Sequence, residues 1–219
     1  MKSKLLLLSI ALSAPAFGQA AIEEFTAANT DNWGLDFVTP ATWNSTGGNP
    51  GGMIQVSVSS STSSLPAPML VPGNLSHPWR GDFKAMHVES FSYDREVLSG
   101  IANFGTHLTL VLADDNGTPH DVSDDAMVFS EIGDNLPWGS DPWTSFTKPI
   151  PAQEFFIPSG WSGEAFPNSP LLGNTESYLW DVIIQDVDYV GIATGRPWNG
   201  GAWFGQHVIN FDNLRLDVG

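Results

Sequence analysis

The 219-residue sequence predicts an all-β fold, a β-sandwich or jelly roll. Short runs rich in Val, Ile, Phe and Thr recur between clusters of Gly, Pro, Asn and Asp, the pattern of strands separated by turns. One run alternates with a two-residue period, which lays one face of a strand on a core. Sixteen prolines and 22 glycines spread along the chain interrupt any long helix, so turns and a sandwich are favoured over an α/β fold.

The elements follow in order. Lys2 and Lys4 precede the apolar run 5–12 and the small residues Ala14, Ala16, Gly18 and Ala20, which predicts a signal peptide over 1–20 cleaved after Ala20. The expected compartment is therefore secreted, extracellular or periplasmic, with residues 21–219 forming one domain. Met53-Ile54-Gln55-Val56-Ser57-Val58, His107-Leu108-Thr109-Leu110-Val111-Leu112 and residues 187–194 read as strands. In the second, Leu108, Leu110 and Leu112 point to the core, and Asp114-Asp115-Asn116-Gly117 follows as a hairpin-type turn. Residues 57–64 and 133–142 read as loops within the domain, and no helix-period stretch of useful length is expected.

Charge narrows the partners. Without residues 1–20 the chain carries six Lys/Arg against 24 Asp/Glu, a net −18, so nucleic acid is excluded as an expected partner. No later segment approaches the ~18 uninterrupted apolar residues of a membrane helix, and nothing after the strand-like Asn213-Leu214-Arg215-Leu216 resembles a hydrophobic anchor. With no cysteine, an exported chain must rely on its core, with calcium as a candidate support.

Several separated landmarks carry a family resemblance. Phe25, Trp33 and Trp43 are followed by Gly47-Gly48-Asn49-Pro50-Gly51-Gly52, then Ala67-Pro68, Trp79-Arg80-Gly81-Asp82-Phe83 and Asp186-Val187-Asp188-Tyr189-Val190-Gly191-Ile192. This order resembles the laminin IV type A (laminin B) domain and its bacterial secreted relatives, from about Phe25 to Leu216. The resemblance implies a jelly-roll β-sandwich similar to carbohydrate-binding modules and galactose-binding-like domains. The cysteine-rich modules that flank the animal domain are absent, so a basement-membrane role does not transfer. Read from the residues alone, the glycines of the hexapeptide permit positive φ or close backbone packing and build a sharp corner. A phosphate-cradling loop would need a following helix and lysine that are missing.

Three groups of candidate site residues emerge. Glu24 and Asp212, in the first and last predicted strands, are candidate calcium ligands, hard oxygens of the kind that calcium collects in sixes to eights. Asp114, Asp115, Asp121, Asp124 and Asp125 lack the EF-hand spacing and read as a solvated hairpin. Trp198 and Trp203, with Arg196 and Asn199 as hydrogen-bond donors, form a candidate ligand-binding loop, and Trp138 and Trp143 flank a second one. Indole faces stack on the apolar faces of sugars while nearby polar groups read the hydroxyls.

Catalytic signatures are missing from the sequence: the histidines at 77, 87, 107, 120 and 207 show no His-Glu-x-x-His spacing, and there is no Gly-x-Ser-x-Gly elbow. The leading expectation is a non-catalytic extracellular binding or matrix module that recognises a glycan or surface protein through loop aromatics on a calcium-supported sandwich. The alternatives are a secreted glycan-active enzyme with a carboxylate pair and a purely structural adhesive component.

Overall fold

The computed structural model describes residues 21–25, 33–35, 39–60, 69–72, 77–102, 107–118, 123–133, 135–173, 176–194 and 205–219. The expected signal peptide, the Trp198/Trp203 loop and Ala67-Pro68 lie outside them. The strands are β1 (Ala21–Glu23), β2 (Gly34–Leu35), β3 (Thr39–Pro40), β4 (Thr42–Gly48), β5 (Gly51–Ser60), β6 (Met69–Val71), β7 (Val88–Ala102), β8 (Leu108–Asp114), β9 (Ala126–Ile132), β10 (Asp141–Pro149), β11 (Ser162–Ala165), β12 (Tyr189–Thr194) and β13 (Gly205–Val218). The helix α1 (Glu176–Ile184) lies between β11 and β12 in the chain.

These strands form an all-β sandwich of two antiparallel sheets. The six-stranded sheet runs β10-β7-β13-β5-β4, with β1 on β13, and the seven-stranded sheet runs β11-β9-β8-β12-β6-β2-β3. Strand β13 organises the first sheet. Along one side it pairs with β7, and along the other with β5 through residues 205–211 and then with β1 through residues 214–216.

Period-two alternation explains the core. Leu108, Leu110 and Leu112 of β8 pack with Val128, Ile192, Tyr93, Phe211 and Leu216 between the sheets. Trp33 and Trp79, almost wholly buried, meet edge to face with centroids 5.5 Å apart and close one part of that core. At ~25 cal/mol per Å² and roughly 150–250 Å² per large aromatic, such side chains supply much of the driving force in a chain without disulfides.

Four expectations need correction. Val111 and Ala113, on the opposite face of β8, are also buried, in a second apolar cluster with Met69, Val71, Met127 and Tyr189, so both faces of this sheet are covered here. The run 57–60 belongs to β5 rather than to a loop. Helix α1 was not expected, because its apolar residues are too crowded for a period to show: Leu179, Trp180, Ile183 and Ile184 turn inward while Tyr178 and Val182 stay exposed. The acidic group after β8 is only partly solvated. Asp115 and Asp125 are buried, Asp115 in an ion pair with Arg80 at 3.4 Å and Asp125 accepting a 2.7 Å hydrogen bond from the Tyr189 hydroxyl. The expected turn itself is present, with positive φ at Asn116 and Gly117 and a 2.9 Å bond from Thr118 N–H to the Asp115 carbonyl.

Candidate functional site

Of the two candidate calcium ligands, Asp212 sits in a hydrogen-bonded knot on the six-stranded sheet, and Glu24 acts on it only through its charge. Strand register sets Asp212 of β13 beside Asp94 of β7, and Ser145 of β10 beside Asp94. The hexapeptide turn between β4 and β5 folds onto this row: Asn49 N–H donates to Asp212 Oδ2 at 2.5 Å, and Asn213 N–H donates to Oδ1 at 2.8 Å. Asp94 accepts from Ser145 Oγ at 2.5 Å and from the side-chain amides of Asn49 and Asn213 at 3.2 and 2.7 Å. The corner needs its glycines. A Cβ on Gly52 would stand 2.0 Å from the Phe25 carbonyl oxygen, and one on Gly48 would stand 1.9 Å from that of Gly52.

Burial pushes the Asp212 carboxyl up to about 6, with Asp94 and Glu24 adding repulsion against the pull of the two backbone N–H groups. Glu24 is exposed, yet close enough to contribute to that field. Calcium would need six to eight oxygens here, whereas the oxygens of Asp212 and Asp94 already face N–H and O–H donors. Among the described residues, no group of three or more His, Cys, Asp or Glu is arranged to hold a metal ion. As placed, the cluster is a hydrogen-bonded fastening between the turn and β13.

The aromatic candidates separate. Trp138 is 75% exposed on the loop before β10, and Trp143, in β10 itself, is half-buried. Trp198, Trp203, Arg196 and Asn199 lie outside the described residues.

A cleft of about 550 Å³ opens instead at the β9/β11 edge of the seven-stranded sheet, near the β10 edge of the other sheet. Trp161 and Phe129 supply aromatic wall; Thr109, Ser130, Glu131, Lys148, Ser162 and Glu164 supply polar wall. Pairing explains the convergence. Thr109 is opposite Glu131, and Ser162 opposite Phe129, so neighbouring strands deliver these side chains to one face. The Trp161 ring is held from behind by Trp180 of α1 at 4.9 Å, and Lys148 Nζ stands 5.6 Å from its centroid. Ser130 Oγ donates to the Gly160 carbonyl at 2.5 Å and fixes the loop that carries Trp161.

Two groups in this cleft have unmet or strained polar requirements. Thr109 Oγ1 is buried and makes no hydrogen bond among the described residues, an arrangement that costs about 1–3 kcal/mol in the free protein. Partial burial lowers the Lys148 pKa, an effect that Glu131 opposes. Glu131 also lies 3.9 Å from His107 Nε2.

No family model matches the chain, and no curated protein matches it.

The cleft was missed in the sequence because its residues come from four separated segments and none forms a motif. One signal was available: Trp161-Ser162-Gly163-Glu164 places an indole directly before a short alternating strand.

Proposed function

We propose that this is an exported, non-catalytic binding module that holds a neutral glycan in the Trp161 cleft. The observation that carries the reading is the cleft of about 550 Å³ itself, in which half-buried Phe129 stands among the polar side chains of Glu131, Lys148, Ser162 and Glu164. A sugar suits such a wall, because its hydroxyls pair with the polar side chains while its C–H faces cover an aromatic ring. Two carboxylates and one ammonium line the cleft, so a polyanionic chain is disfavoured and a neutral one fits. The signal-peptide reading of residues 1–20 and the resemblance to laminin B domains and carbohydrate-binding modules point the same way.

Register bears on the hydrolase alternative. Glu164 pairs with Met127, four residues from Glu131 on β9, which separates the two backbones by about 14 Å along the strands. Side chains stand roughly perpendicular to a sheet, and paired glycosidase carboxyls lie about 5–9.5 Å apart, so this spacing favours binding over hydrolysis. Calcium support by Glu24 and Asp212 is a separable part of the proposal: it requires a calcium-dependent rise in Tm, and equal Tm in calcium and chelator removes it.

The test of the reading is retention of immobilised neutral polysaccharides by the wild type and by Ser162→Trp, at the exposed cleft wall, with the eluted glycan checked for cleavage. Retention of intact glycan that falls in the variant supports the binding module. Cleavage, or retention that Ser162→Trp leaves unchanged, overturns it.

A further inference from the structure

Three aromatic side chains stand exposed together at the surface. Phe155 and Phe156 belong to the connection from β10 to β11, and Tyr178 to α1; they are 48%, 56% and 48% exposed. The rings pack edge to face, with centroids 5.0 Å apart for Phe155–Phe156, 5.9 Å for Phe155–Tyr178 and 5.7 Å for Phe156–Tyr178. Mutual contact orders them. Lys84 Nζ lies 6.0 Å from the Phe155 centroid and is itself ion-paired with Asp181 of α1.

The size of the patch selects its occupant. With roughly 200 Å² per aromatic side chain, these exposures sum to about 300 Å² of open ring surface. A stable protein partner, or a second copy of this chain, needs about 800 Å² on each side. An anionic membrane is disfavoured by the net charge of the chain and by the Asp181 carboxylate at the rim. A shelf of this area suits the C–H faces of a few sugar rings.

Its position in the chain supplies the link to the cleft. Phe156 and Trp161 are five residues apart on one connection, so their backbones lie within about 18 Å of each other. Helix α1 ties the same two places together, because Tyr178 touches the exposed rings and Trp180 backs Trp161. We infer that Phe155, Phe156 and Tyr178 form a second subsite for the same neutral polysaccharide, engaged only by chains long enough to leave the cleft. The inference rests on the cleft being a glycan site, and it makes the protein a reader of polymers rather than of short oligosaccharides.

The experiment is calorimetric titration with size-fractionated neutral β-linked ladders, the cello-, manno-, xylo- and laminari-oligosaccharides from two to eight residues. Wild type is compared with the combined Phe155→Ser, Phe156→Ser, Tyr178→Ser variant and with Phe156→Ser alone, each checked by its Tm. Wild-type affinity should rise about tenfold or more from the short to the long members of the ladder that binds. The combined variant should hold the short members equally well and lose the rise, and Phe156→Ser should lose part of it. A rise that survives in the combined variant overturns the second subsite while leaving the cleft intact. Absence of binding by every short and long member removes the glycan reading, and the second subsite with it.

Discussion

Replacing Asp212 by Asn should flatten the acid side of the stability profile. In the folded protein burial raises the Asp212 carboxyl from 3.8 to about 6, so the native state binds a proton more tightly than the unfolded chain does. Stability from this group is therefore present in full below about 3.8 and declines as pH rises toward 6, the reverse of a salt-bridged carboxylate. Between pH 7.5 and 4.5 the difference is worth at most about 2 kcal/mol, or roughly 4–8 °C of Tm in a domain of this size. Asp114 and Asp115 are also raised, chiefly by burial, and add in the same direction. His207 is lowered by burial and opposes them as pH falls below its unfolded value of 6.5. Subtraction isolates Asp212, because those groups are common to both proteins. The assay is thermal melting of wild type and Asp212→Asn in half-unit steps of pH. On acidification from 7.5 to 4.5, wild type should gain about 4–8 °C relative to the variant. Parallel curves, or a relative loss for wild type, would refute the claim that burial dominates over the two N–H donors at this knot.

Further outcomes follow from the same geometry. Gly52→Ala drives a methyl group into the Phe25 carbonyl and should cost more than about 3 kcal/mol in urea unfolding, whereas an alanine at exposed Ser162 should stay within about 0.5 kcal/mol. Tyr189→Phe removes the 2.7 Å hydrogen bond to the buried Asp125 carboxylate and should cost about 1–3 kcal/mol, read from the shift in the urea midpoint. Thr109→Val should stabilise the free protein by up to about 1–3 kcal/mol in urea unfolding, since among the described residues the buried Thr109 hydroxyl makes no hydrogen bond. Trp138→Ala, at a 75% exposed indole, should shift stability by less than about 0.5 kcal/mol and leave cleft binding unchanged.

Much of the fold was legible because period-two patterning and turn chemistry are local. Leu108, Leu110 and Leu112 announce a core face, and the Gly-rich hexapeptide announces a corner. The partners of that corner were less accessible. Asp212 could be named as a candidate ligand, but its contact with Asn49, 163 residues away in the chain, arises only when β5 pairs with β13. Helix α1 was hidden for a different reason. Tyr178-Leu179-Trp180-Asp181-Val182-Ile183-Ile184 is as apolar and β-branched as a buried strand, and packing against β9 and β11 decides its state. The cleft was least legible of all, since Thr109, Glu131, Lys148 and Trp161 converge through pairing and sheet-edge approach. Exposure also sorted the aromatics in a way that residue type does not: Trp33, Trp79 and Trp180 are almost wholly buried, while Phe155 and Phe156 are open to solvent.

The most direct test of the binding account fills the cleft without disturbing the core. Ser162 is exposed, lies at the cleft wall opposite Phe129, and can carry a tryptophan into the open space. Calorimetric titration of wild type and Ser162→Trp with the neutral oligosaccharide that the wild type retains should show affinity falling by tenfold or more at unchanged Tm. Equal affinity in the two proteins would place the ligand elsewhere and contradict the assignment of the Trp161 cleft.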